Sequence, residues 1–157
     1  MTDEVSTPAV DLGVLLQRLE NARESLIAAL DACDPEQFPL ESAPGESIKR
    51  ALERTADDLN FYYGRLVARA VSLPQPPCLQ PADFASLREA IVSLQVAHRR
   101  FSNLLHDLVP ADLERRAVDQ EHGTYTLRQL LEMTTAHYRL RAQQVSHILA
   151  RSSGRGL

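Results

Sequence analysis

The chain has 157 residues, of which 44% are hydrophobic and 24% charged, with a formal charge of -4. A chain of this size can bury one continuous core without disulfides or metals, and the composition is globular rather than disordered. The acidic balance excludes a dedicated nucleic-acid binder, whose phosphate contacts need clustered Lys and Arg. No apolar run approaches membrane-spanning length, and Met1-Thr-Asp-Glu-Val lacks the basic and apolar stretches of a signal peptide, so a cytoplasmic protein with no membrane contact is expected. Cys33 and Cys78 form no C-x-x-C pair and read as two reduced structural thiols. Residues 1–10 read as a flexible start, 11–150 as one domain and 151–157 as a loose tail.

In chain order, the first helix is expected from about Asp11 to Asp31, where Leu12, Leu15, Leu19, Ala22, Leu26 and Ala29 step by three and four. Asp34-Pro-Glu and the stretch from Pro39 to Gly45 break the pattern, and Glu46 or Ser47 caps the next helix. This second helix runs from about Ser47 to Ala70, with Ile48, Leu52, Thr55, Leu59, Tyr62 and Leu66 on its seam. Leu73-Pro-Gln-Pro-Pro-Cys-Leu-Gln-Pro81 cannot continue a helix, because proline lacks the amide donor and clashes with the preceding turn. It reads as a stiff crossover, long enough to carry the chain back along a bundle.

The third helix is the most regular, with Phe84, Leu87, Ile91, Leu94, His98, Phe101, Leu105 and Leu108 in unbroken alternation. A polar loop then reaches Gly123, and Thr124 or Thr126 caps a fourth helix with the seam Leu127, Leu131, Thr134, Tyr138, Arg141, Val145 and Ile148. Nothing alternates with period two over a strand's length. Four amphipathic helices, each too apolar on one side to stand alone, predict an all-α four-helix bundle.

Two stretches carry a family resemblance. Pro44-Gly-Glu-Ser-Ile48 and then Leu52-Glu-Arg-Thr-Ala-Asp-Asp-Leu-Asn-Phe-Tyr62 resemble the helix opening and Leu-x-His-Leu-x-Asp pattern of DinB-like proteins. Thr126-Leu-Arg-Gln-Leu-Leu131 and His137-Tyr-Arg-Leu-Arg-Ala-Gln-Gln-Val145 are similar to that family's Thr-Val-Arg-Glu-Leu-Leu and its His-x-x-x-His ending in Gln-Ile. The resemblance implies an up-down-down-up topology with the proline crossover between helices two and three, and frequent association into homodimers. It also implies a divalent metal held by three histidines, one on the second helix and two on the fourth. Some members are thiol-dependent transferases or isomerases, and others are metal-dependent hydrolases.

Carried over residue by residue, those ligand positions fall on Arg54, His137 and Arg141, so one imidazole remains of three. Guanidinium offers a metal no lone pair and stays cationic. A divalent ion about 5 Å from it, at an effective dielectric of about 20, is repelled by roughly 6 to 7 kcal/mol. The expectation is therefore a site at Arg54, His137 and Arg141 with no metal and no cofactor, either vestigial or binding a small anionic molecule.

Plainer readings stand beside this one. Arg54 lies about 100° off its helix seam, where an exposed arginine paired with Asp57 or Asp58 is ordinary. His137 suits a hydrogen-bonded structural role, as does His98 in the middle of the best core stripe. Asp58, His98 and Tyr138 are secondary site candidates. The alternative function is a transferase or hydrolase with a centre rebuilt from His98, His137, Asp58 and Glu132. A homodimer is expected, with Phe61, Tyr63 and Val67, off the second seam, as its surface.

Overall fold

The computed structural model describes residues 8–75 and 79–154. The expectations for residues 1–7, for 155–157 and for Cys78 lie outside the described residues. Helix α1 spans Pro8–Leu30. It starts within the stretch expected to be loose, since proline's fixed φ and missing amide suit a first helical position. Helix α2 is one rod over residues 48–70: α-helical over Ile48–Asp58, widened into a π-turn over Leu59–Tyr63, and α-helical again over Gly64–Ala70. Helix α3 spans Leu87–Asn103. Helix α4 spans Leu127–Gly154 and so continues past residue 150, where a tail was expected.

Local chemistry sets the helix starts. Ser47 accepts from the Arg50 amide at 3.0 Å and Ser86 from that of Glu89 at 3.1 Å. Thr126 accepts from the Gln129 amide at 3.1 Å while the Gln129 side chain accepts from the Thr126 amide at 2.9 Å, a reciprocal capping box. Ser47 and Thr126, rather than Glu46 and Thr124, are therefore the caps.

Lateral contacts define the helix directions. Asp11 pairs with Arg128, and further along Ala28 and Ala29 lie beside Ala142 and Ser146, so α1 and α4 are parallel. Arg151 reaches Glu46 at 3.2 Å while His137 meets Asp58, so α2 runs against α4. Glu53 accepts from the Phe84 amide at 2.9 Å and Arg100 donates to Asn60 at 3.3 Å, so α3 runs with α2. This is the up-down-down-up order. The end of the crossover is fastened by two carboxylates one turn apart on α2: Glu53 at Phe84, and Asp57, which accepts from the Ala82 amide at 2.8 Å.

The seams meet as expected, burying Leu15, Leu19 and Leu26 against Leu52, Leu59, Leu94, Phe101, Leu131 and Val145. Two expectations need correction. The polar loop before α4 contains a 3-10 turn, Pro110–Glu114, and an antiparallel hairpin of β1, Arg116–Asp119, and β2, Gly123–Thr126. Its strands are short and only Ala117 is buried, so no alternation marks them. Val67, expected on an outer dimer surface, is fully buried. The π-turn adds a residue to one turn and rotates everything after it by about 100°, bringing Val67 inward. No helix among the described residues is long and apolar enough to cross a membrane.

Candidate functional site

The π-turn carries two consecutive tyrosines, Tyr62 and Tyr63. Their rings meet edge to face, 5.0 Å between centroids. The Tyr62 hydroxyl donates to Asp119 Oδ2 at 2.7 Å, pinning the hairpin to α2, and His122 Nδ1 lies 2.7 Å from the same oxygen. These bonds, Tyr62 first, lower Asp119 to a pKa of about 2. The Tyr63 ring packs 5.3 Å from the imidazole of His137. Burial first, and then the charge of Asp58, push the Tyr63 hydroxyl above its ordinary pKa.

His137 and Arg141 stand one turn apart on α4 and converge on a carboxylate from α2. Asp58 Oδ2 lies 3.5 Å from His137 Nε2 and 3.5 Å from Arg141 Nη2. Both separations exceed the roughly 2.7 to 3.2 Å of an N–H···O hydrogen bond. Arg141 Nη1 donates to Gln144 Oε1 at 2.9 Å. His137 Nε2 and Arg141 Nε are buried and without a hydrogen-bond partner among the described residues. His137 is only 8% exposed, whereas the Asp58 side chain is 42% exposed. Burial is the main cause that holds His137 below its ordinary pKa; Arg141 acts in the same direction and Asp58 opposes it.

The other residues singled out from the sequence lie elsewhere. Arg54, expected beside His137 and Arg141, is exposed and makes no hydrogen bond or ion pair among the described residues. Neighbours Leu52, Thr55 and Ala56 take the buried face of α2, and it is Asp58, one turn on, that reaches α4. His98 and Tyr138 form a separate network on another side of α4. His98 Nδ1 is 2.8 Å from the Tyr138 hydroxyl and Nε2 is 3.0 Å from Glu20 Oε2. A carboxylate only accepts, so Nε2 carries the proton and the tyrosine donates to Nδ1. Glu132 is exposed, so His98, His137, Asp58 and Glu132 do not converge on one centre.

A cleft of about 290 Å³ between α2, α3 and the crossover is lined by Ala56, Phe84, Val92 and Val96, with Asn60 and Arg100 bonded to each other. Its lining carries no carboxylate or histidine, so the one hydroxyl there, Ser93, has no acid or base beside it in the cleft. The polar convergence at Asp58, His137 and Arg141 is thus the candidate site. Its α4 half is legible in the sequence through the four-residue spacing. Asp58 stood there only as a secondary candidate, and Tyr63's contact with His137 was missed, since a one-residue phase shift leaves no periodic signal.

A three-histidine metal set does not fit these residues. His137 and Asp58 bring lone pairs, but the third position brings a guanidinium. Among the described residues no three His, Cys, Asp or Glu side chains are grouped to hold an ion. What the chain presents is an up-down-down-up four-helix bundle with a polar site between its second and fourth helices. The sequence profile of the DinB superfamily matches residues 18–145, and the chain belongs to that superfamily. No curated protein matches the chain.

Proposed function

We propose that this chain is a DinB-superfamily protein that works without a metal and binds a small anionic molecule between α2 and α4. The observation that carries the reading is the pair of buried nitrogens, His137 Nε2 and Arg141 Nε, left without hydrogen bonds among the described residues. A buried donor left unsatisfied costs about 1 to 3 kcal/mol. The Asp58 carboxylate facing Nε2 favours the tautomer protonated there, so an acceptor-bearing ligand recovers that cost at both atoms. Arg141 and Gln144 also line an open depression with Leu140 and His147, which gives the guanidinium a route from solvent.

The test uses protein purified without a histidine tag, dialysed against trace zinc and nickel, and followed through the His137 ring resonances while acetate or phosphate is added. The expected result is no stoichiometric ion and a saturable shift at His137 that Arg141→Met abolishes. A retained ion that is lost with His137→Ala, or an imidazole indifferent to both anions, overturns the reading.

A further inference from the structure

The way Arg141 is held selects among anions. Its Nη1 is committed to Gln144, and Nη2, which shares the other edge of the fork with Nε, lies 3.5 Å from Asp58. Those two N–H groups are parallel, and that edge takes both oxygens of a planar carboxylate at once. Nε has no hydrogen bond among the described residues, and Nη2 has only the 3.5 Å approach of Asp58. His137 Nε2 stands 3.5 Å from the same Asp58 oxygen and supplies a third donor direction.

Resting on the anion-binding reading above, we infer that the ligand group is a monocarboxylate seated on the Nε/Nη2 edge of Arg141, and that Asp58 is its internal stand-in. Asp58 occupies the place a ligand oxygen takes, but too far from either nitrogen for a hydrogen bond. Its side chain is part-exposed and therefore free to swing toward water when a better-seated carboxylate arrives. Charge points the same way. His137 is held toward its neutral form, so Arg141 is the one permanent cation of the trio and Asp58 already offsets it. One negative charge is tolerated there, whereas the second charge of phosphate meets the repulsion of Asp58. Gln144 is a positioning residue, and its loss frees the fork to rotate.

Acetate and inorganic phosphate, at matched ionic strength, are titrated into the wild type, Asp58→Ala and Gln144→Ala while His137 is observed, with circular dichroism confirming that each variant is folded. The wild type should prefer acetate. Asp58→Ala should tighten acetate roughly tenfold, since it removes the competing negative charge that stands 3.5 Å from Nη2. Gln144→Ala should weaken acetate and leave phosphate little changed. If anions bind but Asp58→Ala leaves the acetate affinity unchanged, or phosphate binds the wild type as tightly as acetate, this inference falls while the anion-binding reading stands. If neither anion moves His137 in any of the three proteins, both fall.

Discussion

His98 and His137 are both buried, both in the polar seam between helices, and both within reach of a carboxylate from another helix. They differ in what their nitrogens find. His98 is bonded at both, to Tyr138 at 2.8 Å and to Glu20 at 3.0 Å, and so ties α3 to α4 and α1. His137 holds its carboxylate at 3.5 Å and leaves Nε2 unbonded among the described residues. Burial alone therefore does not distinguish a structural histidine from a site; satisfaction does. A saturated imidazole contributes its bonds to stability, whereas an unsaturated one carries a desolvation cost that a ligand can relieve.

The largest expected effect comes from replacing the charge beside His137 with a lone pair. Asp58 Oδ2 and His137 Nε2 are 3.5 Å apart, close to the roughly 3.4 Å between two donors on a tetrahedral zinc with bonds of about 2.1 Å. Arg141→His adds a third donor and removes the repelling cation. It should take up about one equivalent of zinc, retained through dialysis and measured by elemental analysis, whereas Arg54→His should take up none. Zinc uptake by the Arg54 variant instead would restore the expectation that Arg54 belongs to the site.

Next in size is the contrast in stability. His98→Phe removes a partner from the buried Tyr138 hydroxyl and should cost about 1 to 3 kcal/mol in urea unfolding. His137→Phe keeps a ring against Tyr63 and removes a buried nitrogen that was making no bond, so it should be at least as stable as the wild type. Equal losses for the two variants would break the comparison.

The same residues show how far the sequence could be read. The four seams were legible because a 3.6-residue period is local information, and the first and third expected seams line the core or its margin, although Phe84, Leu105 and Leu108 lie outside the helical span Leu87–Asn103. The π-turn was not, because one inserted residue in a turn depends on packing across α2, and it moved both Tyr63 and Val67. The hairpin escaped because strands as short as Arg-Ala-Val-Asp and Gly-Thr-Tyr-Thr, with little buried, carry almost no alternation. Of the site, the His137 and Arg141 pair was legible from helical spacing. Its α2 partner was legible only as the secondary candidate Asp58, since family correspondence marked Arg54 while the contact is made one turn later.

A smaller effect comes from pH. Both histidines are held below their ordinary pKa of about 6.5, mainly by burial, with Glu20 opposing at His98 and Asp58 at His137. In this window the unfolded chain binds more protons than the folded one, so stability rises with pH. The neutral histidines thus contribute fully above about pH 6.5, and that stability is lost as the pH falls from there toward their folded values. Urea unfolding at about pH 7.5 and about pH 5.5 should show the loss, and His98→Phe and His137→Phe should each remove part of it. An unchanged slope in His137→Phe would mean that its imidazole is not kept neutral by the fold.

The smallest effect is expected at Arg54, and it is informative because it is small. An exposed arginine with no ion pair among the described residues has little to lose on truncation, since even exposed pairs are worth only about 0 to 1 kcal/mol. Arg54→Ala should therefore leave stability within about 0.5 kcal/mol of the wild type and leave the acetate response of His137 in place. Arg141→Ala, by contrast, should abolish that response, because it removes the fork on which the carboxylate sits. The sequence resemblance marks the two arginines as equivalents. Only one of them faces α4's partner carboxylate, and a single Arg54→Ala titration that erased the His137 response would show that the site extends a full turn further along α2 than the contacts at Asp58 define.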